Sequence, residues 1–239
     1  MNLDKDTNAK DCTANNLYNV LPAVPSIVYN DDCMHGLKRF PDKCFDLAIV
    51  DPPYGIDINN QSQGKGGGVA RKIEYTKKDW DKTAPGIEYF NELRRVSKNQ
   101  IVWGANHFIS RLPIDSSCWV VWDKDNGTTD FADCELAWTS FKTAVRRFKW
   151  TWAGMRQQNM KHKEERIHPT QKPIALYEWL LMNYASEGDL ILDTHVGSGS
   201  IRIACDLQGV NFVGFEIDEE YFNAQEKRFK LFKQQQRLF

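Results

Sequence analysis

Apolar and polar positions alternate in blocks along the chain. Phe45–Val50 (F-D-L-A-I-V) is a mostly apolar run, the pattern of a strand buried on both faces of a parallel sheet. Ser26–Tyr29, Gln100–Trp103, Ser117–Trp122, Leu190–Leu192 and Asn211–Phe215 predict further strands. Helix-length segments separate most of them. Thr83-Ala84-Pro85 predicts a helix entrance with Pro85 in the first turn and a helix running to about Val96. Pro173–Tyr184 predicts a helix opening on proline, Ser200–Gln208 one ended by Gly209, and Asp218–Phe232 a last helix with Tyr221, Phe222 and Phe229 on an apolar stripe. Strands separated by helices predict an α/β fold, with a mostly parallel sheet and helices on both faces. Residues 1–25, rich in Asn and Asp with Pro22 and Pro25, read as an irregular lead-in, and 26–239 as a single domain.

Two stretches break the alternation. Residues 59–82 hold four glycines and six Lys/Arg. Residues 142–166 hold eight Lys/Arg against two Glu, interleaved with Phe148, Trp150 and Trp152. Taken alone, the first reads as a surface loop and the second as a solvated strand.

Composition narrows the class without deciding it. The chain has 239 residues, 41% hydrophobic and 26% charged, a globular mix with enough length for an ordinary core. Its 31 basic and 32 acidic residues leave a net charge of −1, which excludes a uniformly basic surface but not a local basic patch. No apolar run reaches the roughly 18 residues of a membrane helix. The acidic, polar N-terminus (Asp4, Asp6, Asp11) does not read as a signal peptide. The six cysteines (Cys12, Cys33, Cys44, Cys118, Cys134, Cys205) form no C-x-x-C pair and no zinc spacing, so no metal site is expected. Scattered cysteines fit a reducing, cytoplasmic setting.

Four clusters carry chemistry. Asp51-Pro52-Pro53-Tyr54 follows the Phe45–Val50 strand directly, where ligands of open α/β sheets collect. Two prolines fix two φ angles and remove two N–H donors, which leaves carbonyls free as acceptors. With the Asp51 carboxylate and the Tyr54 ring, the set suits a planar group bearing –NH2: an adenine, a cytosine or a primary amide. The competing reading is a strand-ending turn. The second cluster runs from Leu190 through Asp193, Thr194, His195, Gly197, Ser198 and Gly199 to Ser200: strand, glycine loop, helix start. Glycines let backbone approach a ligand closely. A dinucleotide fingerprint needs a small residue where Arg202 stands, and Asp193 repels a pyrophosphate while attracting a cation. Third, Glu216 ends a strand 19 residues after Gly197, the spacing of a ribose-diol acceptor, with Asp218 placed to cap the last helix. Fourth, His168-Pro169-Thr170-Gln171-Lys172-Pro173 is a polar turn before a helix; one helix separates it from Asp193, so it can face the glycine loop.

Together these residues resemble the amino-group DNA methyltransferases that use S-adenosyl-L-methionine. D-P-P-Y is similar to their catalytic motif, D-x-x-x-G-S-G-S to their nucleoside loop, the strand-end Glu216 to their ribose ligand, and H-P-T-Q-K-P to the segment that precedes that loop. With D-P-P-Y first and the glycine loop last, the order is that of the circularly permuted β group. The resemblance covers about residues 26–232. Asp193-Thr194-His195 departs from the commoner Asp-Pro-Phe, and with Trp103–Phe108 (W-G-A-N-H-F) it resembles a phage-like subgroup.

The resemblance implies a Rossmann-like fold with a small target-recognition insertion. It implies catalytic Asp51, Pro52, Pro53 and Tyr54. Cofactor contacts are implied from Asp32 and Cys33, from Asp51, from His168, Thr170, Gln171 and Lys172, from Asp193, His195, Gly197, Ser198, Gly199 and Ser200, and from Glu216 and Ile217. The basic stretches become a DNA-contacting loop at 59–82 (Lys65, Arg71, Lys72) and a target-recognition region at about 123–166 (Arg146, Arg147, Lys149). The expected activity is methyl transfer to the N6 amine of a flipped-out adenine in double-stranded DNA, because Asp at the first motif position is commoner in adenine enzymes. A homodimer and a restriction endonuclease partner belong to the same expectation. The alternatives are an N4-cytosine enzyme, an RNA or free-nucleotide methyltransferase on the same fold, and a cofactor-binding DNA module without catalysis.

Overall fold

In the computed structural model, which describes residues 26–57, 81–112, 115–127, 132–153 and 156–236, the apolar run Phe45–Val50 is strand β2 near the middle of an eight-stranded sheet. The other strands of that sheet are β1 (Ser26–Tyr29), β3 (Ser97–Trp103), β4 (Trp119–Asp123), β5 (Cys134–Thr139), β6 (Arg146–Lys149), β9 (Leu190–Asp193) and β10 (Asn211–Phe215). A separate ribbon pairs β7 (Trp152–Ala153) with β8 (Arg156–Gln157). The helices are α1 (Cys33–Leu37), α2 (Ile87–Val96), α3 (Ile174–Tyr184), α4 (Ser200–Gln208) and α5 (Glu219–Gln236).

Alternation along each strand explains the two layers of core. Leu47 and Ile49 of β2, Ile101 and Trp103 of β3 and Ile191 of β9 face one side, where Leu176, Leu180, Ile201 and Ala204 of α3 and α4 cover them. Ala48, Val50, Val102, Leu192 and Phe215 face the other side, under Leu37 of α1 and Tyr89, Phe90 and Leu93 of α2. A strand buried on both faces has no polar side to show, which is why β2 reads as a continuous apolar run.

The strand order is β1-β10-β9-β2-β3-β5-β4-β6. Strands β1, β10, β9, β2 and β3 are parallel, with Ala48 beside Leu192 and Val50 beside Val102. β9 leads through α4 to β10 on one flank, and β2 leads through α2 to β3 on the other. The order therefore reverses between β9 and β2. That reversal opens a crevice beyond the carboxyl ends of the two strands, and crevices of this kind hold the ligands of open α/β sheets. Antiparallel β5 brings its first residues to the same edge, where Cys134 pairs with Asp123 at the end of β4.

The parallel strands and the four longer helices fall where the pattern predicts them, with shifted ends. α2 starts at Ile87 behind Gly86, so Pro85 lies before the helix and not in its first turn. β3 starts at Ser97, directly after α2. Asp218 caps α5 as expected: its Oδ1 accepts the N–H groups of Glu220 and Tyr221. α1 is too short to show a helical period. β5 and β6 lie in the main sheet although they fall in the expected target-recognition stretch, whereas the β7–β8 ribbon lies outside it. Residues 1–25 and most of 59–82 lie outside the described residues.

Candidate active site

Asp51 leaves β2 at the crevice. Its Oδ1 accepts the Tyr54 hydroxyl at 2.7 Å, and its Oδ2 accepts the Lys172 ammonium. The Tyr54 and Gly55 amides donate to Asp81 Oδ1 at 2.7 and 3.1 Å, so a buried second carboxylate clamps the turn after the two prolines. The Tyr54 ring stacks on His107, with centroids 4.9 Å apart and planes at 16°. Gly104 lets the chain pass beside that ring: its φ is +68°, and a Cβ there would meet Tyr54 at 2.0 Å.

Lys172 reaches this corner from the loop before α3. Its side chain is 3% exposed, and its Nζ lies 3.0 Å from Glu135 Oε2 and 3.3 Å from the Tyr54 oxygen. Glu135, near the start of β5, is also paired with Lys124 at 2.5 Å. Burial pushes the Asp51 carboxyl above its ordinary value, more than the Lys172 ammonium pulls it down, and Glu135 adds to the rise. Burial also works to raise Glu135, but the two ammoniums outweigh it and bring that carboxyl to about 2. Lys172 itself is held above its ordinary value, because Asp51 and Glu135 outweigh its burial.

Across the switch point, the end of β9 presents Asp193, which is 2% exposed. Burial pushes its carboxyl up to about 8, although Oδ1 accepts the His195 amide at 3.0 Å. The loop then turns through Gly197 and Gly199, with φ +52° and +72°, into α4. Glu216, at the end of β10, accepts the Gly197 amide at 2.8 Å and the Asp218 amide at 2.9 Å. Beside it Ile217 is 63% exposed, an apolar side chain turned out at the rim. Asp32 caps α1 by accepting the His35 amide, and burial, helped by the Asp32 carboxylate, raises the Cys33 thiol to about 12. Thr194 Oγ1 bridges the Tyr89 hydroxyl at 2.6 Å and His195 Nδ1 at 2.9 Å. Burial lowers His195 to about 4, which leaves a neutral imidazole at the mouth of the loop.

Residues 138–227 match the sequence profile of the DNA methylase family. Over 250 residues the chain is 24% identical to the Type II methyltransferase M.HinfI of Haemophilus influenzae, covering 86% of this chain and 68% of that protein. It is 25% identical over 244 residues to the Type II methyltransferase M2.DpnII of Streptococcus pneumoniae, covering 84% and 88%. Among solved structures, the M1.HpyAVI–SAM complex shares the fold with a TM-score of 0.56 and 24% identity, over 84% of this chain and 98% of that one. The cytosine-N4-specific PvuII DNA methyltransferase does so with a TM-score of 0.56 and 15% identity, over 84% and 85%.

The fold brings most of the expected site residues to one edge, with some changes of neighbour. His168 packs on Gly197, as its sequence distance suggested, and stands edge-on to Tyr221 at 4.3 Å. Thr170 bonds His168, and Gln171 bonds the backbone of Ile167 and Glu165, so both shape the turn. Lys172 joins Asp51, not the glycine loop. Ser198 and Ser200 are buried and bonded to each other and to Arg228. Arg202, too long for a dinucleotide fingerprint, ties α4 to Glu226 of α5 and to Ser26 of β1.

Arg146, Arg147 and Lys149 lie exposed on the edge strand β6, whose far end reaches the catalytic edge beside Asp123 and Asp125. Lys65, Arg71 and Lys72 lie outside the described residues. The sequence reading did not include Glu135, Lys124, Asp81 or Tyr89. No local pattern in the sequence singles out Glu135; it comes to face Trp122 only through the pairing of β5 with β4.

Proposed function

We propose that the chain transfers a methyl group from S-adenosyl-L-methionine to the exocyclic N6 amine of an adenine flipped out of duplex DNA. The observation that carries the reading is the meeting of Asp51 and the Asp193 loop at the β2/β9 switch point. One side offers acceptors for an –NH2 group, the other a carboxylate for a cationic nucleoside. The residues fit the cofactor: Asp193 is a buried carboxyl in no ion pair among the described residues, Gly197 and Gly199 open the backbone, Glu216 stands at ribose distance in sequence, and exposed Ile217 offers an apolar face. When bound, S-adenosyl-L-methionine supplies an electrophilic methyl on a sulfonium.

The protein's part is positioning. An adenine amine is a poor nucleophile because its lone pair is delocalised into the ring. Asp51 and the Pro52 carbonyl accept its two N–H bonds and draw the nitrogen towards tetrahedral geometry; Pro53 holds the turn rigid. Tyr54, whose ring is held by His107, stacks on the extruded base. Preorganised acceptors at the reacting nitrogen account for the gain, with no covalent enzyme intermediate.

Arg146, Arg147 and Lys149, with Lys65, Arg71 and Lys72, contact phosphates. A second copy of the chain and a restriction endonuclease of the same specificity rest on the resemblance alone, and size-exclusion chromatography with and without DNA tests the first. A cytoplasmic setting agrees with the free thiols of Cys33, Cys44, Cys118, Cys134 and Cys205. Single-molecule sequencing of DNA from cells expressing the chain tests the activity. N6-methyladenine at one sequence motif, absent with Asp51→Ala, supports it; N4-methylcytosine, or methylation found only in RNA, replaces it.

A further inference from the structure

We propose that Lys172 is a positioning residue for methyl transfer, which holds Asp51 as an ionised acceptor turned to the target amine while Glu135 shares its ammonium. The inference rests on the methyl-transfer reading above. An ammonium has three N–H donors and no acceptor. Lys172 has three oxygens around it: Asp51 Oδ2, Glu135 Oε2 at 3.0 Å and the Tyr54 oxygen at 3.3 Å. All its donors are matched inside the corner, so the side chain has none left for a cofactor.

Asp51 keeps its capacity. A carboxylate has about four lone-pair sites, and the Tyr54 hydroxyl and the Lys172 ammonium use one on each oxygen. Among the described residues, one site per oxygen remains for the N–H bonds of an incoming amine. Burial alone favours the neutral acid, and a protonated Asp51 would present a donor where an acceptor is needed. The ammonium opposes that. Glu135 keeps the ammonium from resting on Asp51 alone, and Lys124, 2.5 Å from Glu135, balances the second carboxylate. Two acids and two ammoniums leave the corner neutral. The other titratable groups acting on Asp51 are Asp193 at the end of β9, which disfavours its charge as Glu135 does, and the phenols of Tyr54, Tyr89 and Tyr177, which burial keeps neutral.

The test is kcat and KM against pH on duplex DNA for the wild type, Lys172→Met, Lys172→Ala and Glu135→Gln. Lys172→Met is expected to lower kcat at neutral pH about ten- to a hundredfold, the worth of a charge-assisted bond, and to move the acid limb up by about one to two pH units. KM for S-adenosyl-L-methionine stays put, and ethylammonium added to Lys172→Ala restores part of kcat. Glu135→Gln moves the acid limb the other way, because a negative neighbour is gone and the ammonium is left to Asp51. A raised KM for S-adenosyl-L-methionine in Lys172→Met with an unmoved acid limb makes Lys172 a cofactor ligand and overturns the proposal. If circular dichroism shows the Lys172 variants unfolded, the sign of the Glu135→Gln shift decides: downward supports, unmoved or upward overturns. An inactive wild type overturns the methyl-transfer reading and the proposal with it; an active wild type with unmoved limbs overturns the proposal alone.

Discussion

The Gly197 amide donates to Glu216 Oε2 at 2.8 Å, which joins the glycine loop after β9 to the carboxyl end of β10. Glu216 Oε1 meanwhile accepts the Asp218 amide. One side chain thus ties the turn of the glycine loop to the end of the neighbouring strand. Glu216→Ala is expected to weaken S-adenosyl-L-methionine binding about ten- to a hundredfold, through loss of charge-assisted bonds to hydroxyls. Calorimetry checks it, and unchanged affinity removes Glu216 from the site.

Asp193 is expected to make cofactor binding depend on pH. Its carboxyl stands at about 8, so at neutral pH it holds a proton that an unfolded chain has lost. Its contribution to stability is therefore full below the ordinary carboxylate value and fades as pH rises through about 8. A cationic ligand wants the carboxylate. S-adenosyl-L-methionine binding is expected to release a proton at pH 7 and to tighten towards pH 8, and Asp193→Asn to abolish both effects. Calorimetry in buffers of different ionisation heat counts the proton; a count of zero in the wild type sinks the idea.

Asp51→Ala is expected to lower methyl transfer by about a hundredfold or more, the size seen on removing one preorganised polar group at a reacting centre. Fold and cofactor affinity should survive, because Lys172 keeps Glu135 as a partner at 3.0 Å. Substantial turnover in this variant refutes the catalytic assignment.

Gly104→Ala tests how the Tyr54 ring is held. A Cβ there meets the ring at 2.0 Å, and φ is +68°. The expected loss is about 1–3 kcal/mol of stability, together with displacement of Tyr54. Thermal unfolding and the fluorescence of the folded variant measure both.

What could be read beforehand divides by distance along the chain. D-P-P-Y and the glycine loop each sit on a strand end whose apolar run is local, so both were visible, as were Glu216 and the Asp218 cap. The Lys172–Asp51 contact spans 121 residues and the Lys172–Glu135 pair joins a loop to an antiparallel strand; neither has a periodic signature. The resemblance of H-P-T-Q-K-P put Lys172 with the cofactor, whereas in the fold His168 of that segment lies beside Gly197 and Lys172 turns to Asp51. β6, written R-R-F-K, showed charge and no burial, and only its pairing with β4 reveals it as the sheet's edge.

That edge carries the last prediction. Replacing Arg146, Arg147 and Lys149 with Ala is expected to weaken DNA binding and to flatten its salt dependence. Three lost phosphate contacts change the log–log slope by about 2.7, at roughly 0.9 per contact on duplex DNA. The side chains of Arg147 and Lys149 are 70% and 55% exposed, and their pairs with Asp123 and Asp125 are surface pairs that phosphates can displace. The net charge of −1 sharpens the test, because no global positive field compensates for the loss. Removing three cations from an exposed edge leaves the core intact, so thermal stability should stay close to wild type. A slope unchanged within error moves the DNA face to Lys65, Arg71 and Lys72. Loss confined to one target sequence means that these side chains read bases and not phosphates, the right location with a different role.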